Sequence, residues 1–226
     1  MRKVLSLGFM LVAVVLLNAA QAMAAKAFEG VITFKISYPG SKFTESQLSM
    51  FPKILTVAIK GAKSKTEIAT GMGIQTEITD YISKSKIGLI NIGGQKFAVK
   101  TSADEIEKEI AKSPQPSIVL TNEQKMIAGY SCKKAIVNVD ENGTKTAFEV
   151  YYTNELGTKL ANFDSPLYKD IEGIMLEFVM KTPQFTMKFT ATSVEKKNIS
   201  GKEFDVPSDY VITTQEELKN KFGGME

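Results

Sequence analysis

From Phe28 to Ser37 the chain alternates. Phe28, Gly30, Ile32, Phe34 and Ile36 fall on one side, and Glu29, Val31, Thr33, Lys35 and Ser37 on the other. This period of two predicts a strand with one apolar face, ended by Tyr38-Pro39-Gly40. Residues 41–51 are ambiguous, with a short helix carrying Leu48, Met50 and Phe51 as one reading. Short runs rich in β-branched residues follow at Ile54–Lys60, Lys63–Ala69, Ile74–Ile82, Ile87–Ile92 and Gln95–Thr101. Gly61-Ala62, Gly71-Met72-Gly73, Ser83-Lys84-Ser85-Lys86 and Gly93-Gly94 separate them. A turn about every ten residues predicts an antiparallel meander rather than βαβ units.

The pattern then changes period. Ser102-Ala103-Asp104-Glu105 has the form of a capping box, and Ala103, Ile106 and Ile110 share one helical face. Lys108 and Lys112 close this helix, and Pro114 and Pro116 prevent its continuation. A hairpin is expected next, with Lys125–Val139 and Lys145–Tyr152 flanking Asp140-Glu141-Asn142-Gly143. Asn-Gly accepts the positive φ that a type I′ turn requires at both central positions. Asn154–Ala161 reads as a helical turn. Ile174–Lys181 and Phe185–Glu195 read as strands joined around Thr182-Pro183-Gln184. After Phe204-Asp205-Val206-Pro207-Ser208-Asp209-Tyr210 comes a last helix, with Thr214-x-x-Glu217 as its capping box and Gly223 past its end. There is no internal repeat, low-complexity segment or linker. Nine or ten consecutive antiparallel strands with two or three short helices make one α+β domain, and a sheet that long must curl.

Residues 1–24 stand apart. Arg2 and Lys3 precede a run from Val4 to Leu17 that is apolar except for Ser6 and Gly8, and Ala22-Met23-Ala24 fits the small-x-small rule of signal peptidase. The run is too short to span a bilayer, so it predicts a secretory signal peptide cleaved after Ala24, with Ala22 as the alternative, rather than a transmembrane anchor. No cysteine follows the cleavage site to accept a lipid. The expected product is an exported protein of the periplasm or the extracellular space. Removing Arg2 and Lys3 from 28 basic residues leaves 26 against 25 acids. A near-neutral mixed surface offers no field for nucleic acid.

Missing residue types exclude whole chemistries. The chain has no histidine and no tryptophan, and no arginine after Arg2. Serine triads, Cys–His dyads and His-ligated metal sites are therefore out, as are bidentate clamps on phosphate or carboxylate. The single cysteine, Cys132, cannot close an intrachain disulfide. A thiolate activated by Lys133 and Lys134 is one reading. Neighbours in a strand point to opposite faces, however, so Lys133 faces away, and neither a base nor a resolving cysteine is at hand. Cys132 is expected to be a buried small hydrophobe. Asp140–Gly143 lacks the bidentate glutamate of a calcium loop and reads as a turn. Asp104, Glu105, Glu107 and Glu109 read as solvated helix carboxylates, and Lys196-Lys197 as surface. No catalytic residue, metal ligand or cofactor is assigned, and the chain is expected not to be an enzyme.

The segments "FEGVITFKISYPG", "GYSCKKAIV", "VYYTNELG" and "FDVPSDY" occur in that order. As an ordered set this resembles a group of exported bacterial proteins of unknown function, similar to the periplasmic lipoprotein carriers of the LolA/LppX type. The resemblance implies that residues 25–226 form an incomplete β-barrel, a strongly curved antiparallel sheet with short helices covering its open face. It also implies acyl chains held on the concave face. Carriers of the LolA type use an arginine to tie lid to barrel, and no arginine stands here to do so.

The large apolar members of the strands are Phe34, Ile36, Val57, Ile59, Phe97, Val99, Phe148, Val150, Leu176, Phe178, Met187 and Phe189. In a closed or sandwiched sheet they form a core; in a curved sheet part of them lines a cavity. Met175, Met180 and Met187 suit an adaptable apolar surface. Two functions stay open: a carrier or binding module for a hydrophobic ligand such as a lipid or a lipoprotein acyl chain, or an envelope protein that docks a protein partner and takes no small ligand.

Overall fold

The structure is a computed structural model describing residues 28–70, 73–92, 94–141, 143–182 and 184–222. The expected signal peptide, the Asn142 position and the expected Gly223 stop lie outside the described residues. Twelve strands form one sheet: β1 Glu29–Ser37, β2 Ile54–Lys60, β3 Lys63–Thr70, β4 Gly73–Asp80, β5 Ser85–Ile92, β6 Gln95–Thr101, β7 Ser117–Ile127, β8 Tyr130–Glu141, β9 Thr144–Thr153, β10 Ile174–Lys181, β11 Thr186–Lys196 and β12 Val211–Thr214. Their spatial order is β12-β6-β5-β4-β3-β2-β1-β11-β10-β9-β8-β7, so the sheet is open between β12 and β7. The helices are short: α1 Glu45–Ser49, α2 Ala103–Lys112 and α3 Gln215–Phe222. The protein is mostly β, which replaces the α+β emphasis expected from the sequence.

Two consecutive meanders meet at β1–β11, and every pairing but one is antiparallel. The exception is β12, which runs parallel to β6, with Val211 opposite Phe97. Four residues after a run of loop carry too little periodicity to show as a strand. The stretch expected as one strand from Lys125, bent at Gly129-Tyr130, is instead folded back fully. Ala128 and Gly129, at φ +48° and +87°, make a two-residue hairpin that pairs Ile127 with Tyr130. Ala128 carries the left-handed strain that glycine normally takes, so its sequence signal is weak. β7 upstream is mostly exposed and shows no clear alternation.

The capping boxes behave as expected. Ser102 N–H donates to Glu105 at 2.7 Å and Glu105 N–H to the Ser102 hydroxyl at 3.4 Å. Thr214 and Glu217 do the same at 2.9 and 3.1 Å. Gly30 occupies an apolar-face position because a Cβ there would stand 2.1 Å from the Glu195 carbonyl oxygen. Register shifts at Thr33/Phe34 and Met175/Glu177 mark irregularities of the bulge type, which bend and twist a sheet.

Directly opposed residues share a face, so the register fixes which side each residue takes. Ile32–Val57–Thr66–Glu77–Gly88–Val99 is one row across β1 to β6, and Phe34–Leu55–Ile68–Gln75 runs beside it. This is the inner face. On the outer face Val31, Ile78, Ile87, Leu89 and Ala98 pack with Ile199, Phe204, Val206 and Tyr210. The segment 197–210 is thus a strap over the outside of β1–β6. Lys60 holds it, donating to the Ile199 carbonyl at 2.6 Å and pairing with Glu29 at 2.9 Å. Lys96–Asp209 at 2.6 Å fastens its far end.

Candidate functional site

The inner face holds an open-sided cavity of about 620 Å³, within the range of roughly 300–1,000 Å³ usual for ligand sites. Its floor comes from β1, β2, β10 and β11, and Phe34, Leu55, Val57, Phe178, Met187 and Phe189 all line it. The Phe178 and Phe189 rings stack at 4.8 Å between centroids, and Phe34 meets Phe178 edge-on at 6.0 Å. They face inward because β10 and β11 are in register there, Phe178 opposite Phe189 and Met180 opposite Met187.

The opposite wall is polar. Ser64 and Thr66 of β3, Gln75, Glu77 and Thr79 of β4, and Lys86 of β5 all reach the same cavity. Lys86 Nζ lies 3.4 Å from the Glu77 carboxylate and 3.2 Å from that of Asp164. Burial pushes the Glu77 carboxyl up. Lys86 pulls it back only in part, and the charge of Asp164 adds to the rise. Burial works against the Lys86 ammonium, but Glu77 and Asp164 together outweigh it and raise its pKa. Tyr81, at the edge of this wall, is driven to about 12 by burial, against a hydrogen bond with Ser64, and stays a neutral phenol.

The cover over the cavity is the segment between β9 and β10, which lines it through Ala161, Asn162, Asp164, Ser165, Pro166 and Tyr168. Its first part is a single 3-10 turn, Lys159–Asn162, capped by Thr158 and close to the helical turn expected over Asn154–Ala161; the rest is irregular. The capped helices α2 and α3, expected as lids, do not line the cavity. The segment keeps its place because its own polar groups are satisfied. Asn162 donates to the Ile171 and Gly173 carbonyls at 2.9 Å each. Tyr168 donates to the Val179 carbonyl at 2.5 Å, and Ile171 is fully buried. Lys86–Asp164 then ties cover to wall.

Of the residues singled out in the sequence, Phe34, Val57, Ile59, Phe178, Met187 and Phe189 come together on the cavity. Ile36 is buried in the adjoining core. Phe97 and Val99 share the inner face, opposite Ile90 and Gly88, but are buried at β6, where Lys221 Nζ of α3 lies 4.9 Å from the Phe97 ring centroid. Val150 is fully buried in a second core with Ala135 and Val137, and Phe148 lines a separate cleft with Val139 and Leu167. Leu176 sits at the β10 irregularity, fully buried. Sequence reasoning missed the polar wall. Its signal is the alternation Gln75-x-Glu77-x-Thr79, which a search for apolar faces passes over.

Two other groups are spoken for. Cys132 has no exposed surface, and burial first, then the charge of Glu155, pushes its thiol up to about 11. Lys134 pairs with Glu123 and Glu149 at 3.0 and 2.6 Å instead. Glu177, 6 % exposed, bonds Lys125 and Lys188 at 3.1 Å each and accepts from Thr190 at 3.1 Å. Burial pushes its carboxyl up, but the two lysines outweigh that and hold it below the ordinary carboxylate range. The helix carboxylates Asp104, Glu105, Glu107 and Glu109 and the pair Lys196-Lys197 are exposed. Among the described residues no three His, Cys, Asp or Glu side chains are grouped to hold a metal ion, and no helix is long and apolar enough to cross a membrane.

Fold and site together define a protein built as an open, curled β-sheet with one strapped outer face and one cavity-bearing inner face. The chain belongs to the family described as N-glycanase peptide, N-terminal domain, whose profile matches residues 55–218. Among solved structures it is similar to a beta-barrel-like protein of a domain of unknown function, DUF1849, from Brucella abortus. That match covers 77% of this chain and 100% of the other, at 6% identity and a TM-score of 0.38. No curated protein matches the chain.

Proposed function

We propose that this is an exported, non-catalytic binding module that holds the apolar chain of a lipid or acylated molecule in the inner-face cavity. The observation that carries the reading is an apolar floor that its own side chains leave unfilled. Burying an acyl chain there contributes about 0.8 kcal/mol per methylene, enough for useful affinity without a charged clamp. The resemblance of the ordered segments to LolA/LppX-type carriers supports it, as does the Ala22-x-Ala24 signal for export.

The test has two parts. Native mass spectrometry of protein from its own cell envelope should show a co-purified lipid mass on a chain beginning at Ala25. In vitro, an uncharged fluorescent acyl probe should bind saturably to the wild type. Phe178→Asp or Phe189→Asp should abolish that binding while circular dichroism shows a folded sheet. No saturable binding by the wild type, or unchanged binding by a folded Phe189→Asp variant, sinks the reading.

A second reading, docking of an envelope protein, draws on the sheet edge. β7 is an edge strand, and its Val119, Leu120 and Met126 are exposed, the kind of edge to which another chain adds a strand. It takes the first reading's place if the cavity binds nothing.

A further inference from the structure

The two walls of the cavity are unequal in charge as well as polarity. Among the described residues three side chains that can carry charge line it, and they are Glu77, Asp164 and Lys86. Two carboxyl groups therefore share one ammonium, at 3.4 and 3.2 Å, and the formal charge of the three together is minus one. Lys86 is the bridging member, so it is already compensated from both sides. About a quarter of the Lys86 and Asp164 side chains remains exposed, and Glu77 more. The carboxylates can thus be reached from the cavity. Thr66, Gln75 and the Tyr81 phenol stand around them as neutral hydrogen-bonding groups.

Such a wall repels an anionic head group and attracts a cationic one. A fatty acid carboxylate would have to displace one of two acids from the lysine inside a partly desolvated site, where charges act on one another more strongly than in water. A protonated amine instead completes the charge balance, and its three N–H donors match oxygen acceptors with no donor of their own. We propose that the cavity selects amphiphiles whose polar end is a protonated amine, with Glu77 and Asp164 as the head-group site and the Phe34–Phe178–Phe189 floor as the tail site. This rests on the acyl-chain reading of the same cavity and adds the chemistry of the other end. The amine has two sources of the same chemistry, an aminolipid or the lysine side chain of an acylated peptide.

The test is displacement of the uncharged acyl probe by three amphiphiles with one tail: an alkylammonium, an alkyl carboxylate and an uncharged monoacylglycerol. The alkylammonium should bind at least about tenfold tighter than the carboxylate, with the glyceride between them. Glu77→Gln combined with Asp164→Asn should remove the amine advantage and leave glyceride affinity unchanged, which also reports that the variant is folded. Lys86→Met should strengthen amine binding and weaken carboxylate binding further. A phosphatidylethanolamine and an N-acyl-lysine amide, each against phosphatidylglycerol, name the source, and preference for either one supports the proposal. Equal affinities for the three heads, or a preference for the carboxylate, overturn the head-group inference and leave the acyl-chain reading standing. If none of the three displaces the probe because the probe itself does not bind, both fail.

Discussion

Strands β2 and β4 follow the same alternation and yet show the cavity opposite chemistry. In β2 the inward residues are Leu55, Val57 and Ile59, and the outward ones include Thr56 and Lys60. In β4 the inward residues are Gln75, Glu77 and Thr79, while Ile78 points outward to the strap, 6 % exposed. β2 buries an apolar face inward, whereas β4 buries Ile78 outward. They differ in which side of the sheet has cover. Strap residues Ile199, Phe204 and Val206 cover the outside of β3–β6, so the apolar residues there turn outward, and the inner side is free to be polar. A sheet with a core on each face has no single apolar side.

The sharpest break of this comparison is a pair of neighbours. Ile78→Asp buries a carboxylate under the strap and should cost about 4 kcal/mol or more, or prevent folding. Thr79→Val, one residue on and facing the cavity, gives up only a hydroxyl and should cost no more than about 1.5 kcal/mol, the net worth of one hydrogen bond. Urea unfolding of the two variants reads the contrast, and similar midpoints for both would mean that the outer core does not stabilise the fold.

Farther along the sheet, in β8 and β9, both faces carry buried residues. Val137 and Val150 are fully buried on one side and Cys132 on the other. Cys132→Ser should therefore cost about 1–3 kcal/mol, the usual penalty for a poorly satisfied buried hydroxyl, with probe binding intact. A maleimide should label the native thiol slowly; rapid labelling would place this end among the open parts of the molecule.

The smallest effect separates two glutamates by sign. Glu177, held below the ordinary range by Lys125 and Lys188, contributes stability that is present above the unfolded carboxyl pKa and lost as pH falls through its lower folded value. Glu77, pushed up by burial, does the reverse. Its favourable contribution is complete below the unfolded pKa and is lost as pH rises through the folded one. Glu77→Gln should accordingly make the protein relatively more stable at neutral pH than at acid pH, and Glu177→Gln relatively less. Thermal melts of both variants across the acid range check this, and slopes of the same sign for the two would refute the charge assignments of the walls.

Much of the fold is legible in the amino-acid sequence alone. Alternation places β1, β2, β6, β10 and β11 within a residue or so of their ends, and Ser102–Glu105 and Thr214–Glu217 mark two helix starts. These signals are local: a period of two, or a side chain reaching three residues. Half of the twelve apolar residues singled out meet at one cavity for the same reason. What escapes a reading of the sequence is set by contacts distant along the chain. The Ala128-Gly129 hairpin puts a non-glycine in the left-handed region, and β12 exists because β6 offers an open edge. The cover is one 3-10 turn and the irregular stretch after it, held by Asn162 and Tyr168 and not by the capped helices α2 and α3. Above all, periodicity tells that a strand has an apolar face, but only the cover packed against it decides whether that face is the inside or the outside. Glu77 lines the cavity because a strap about 120 residues later in the chain claims Ile78.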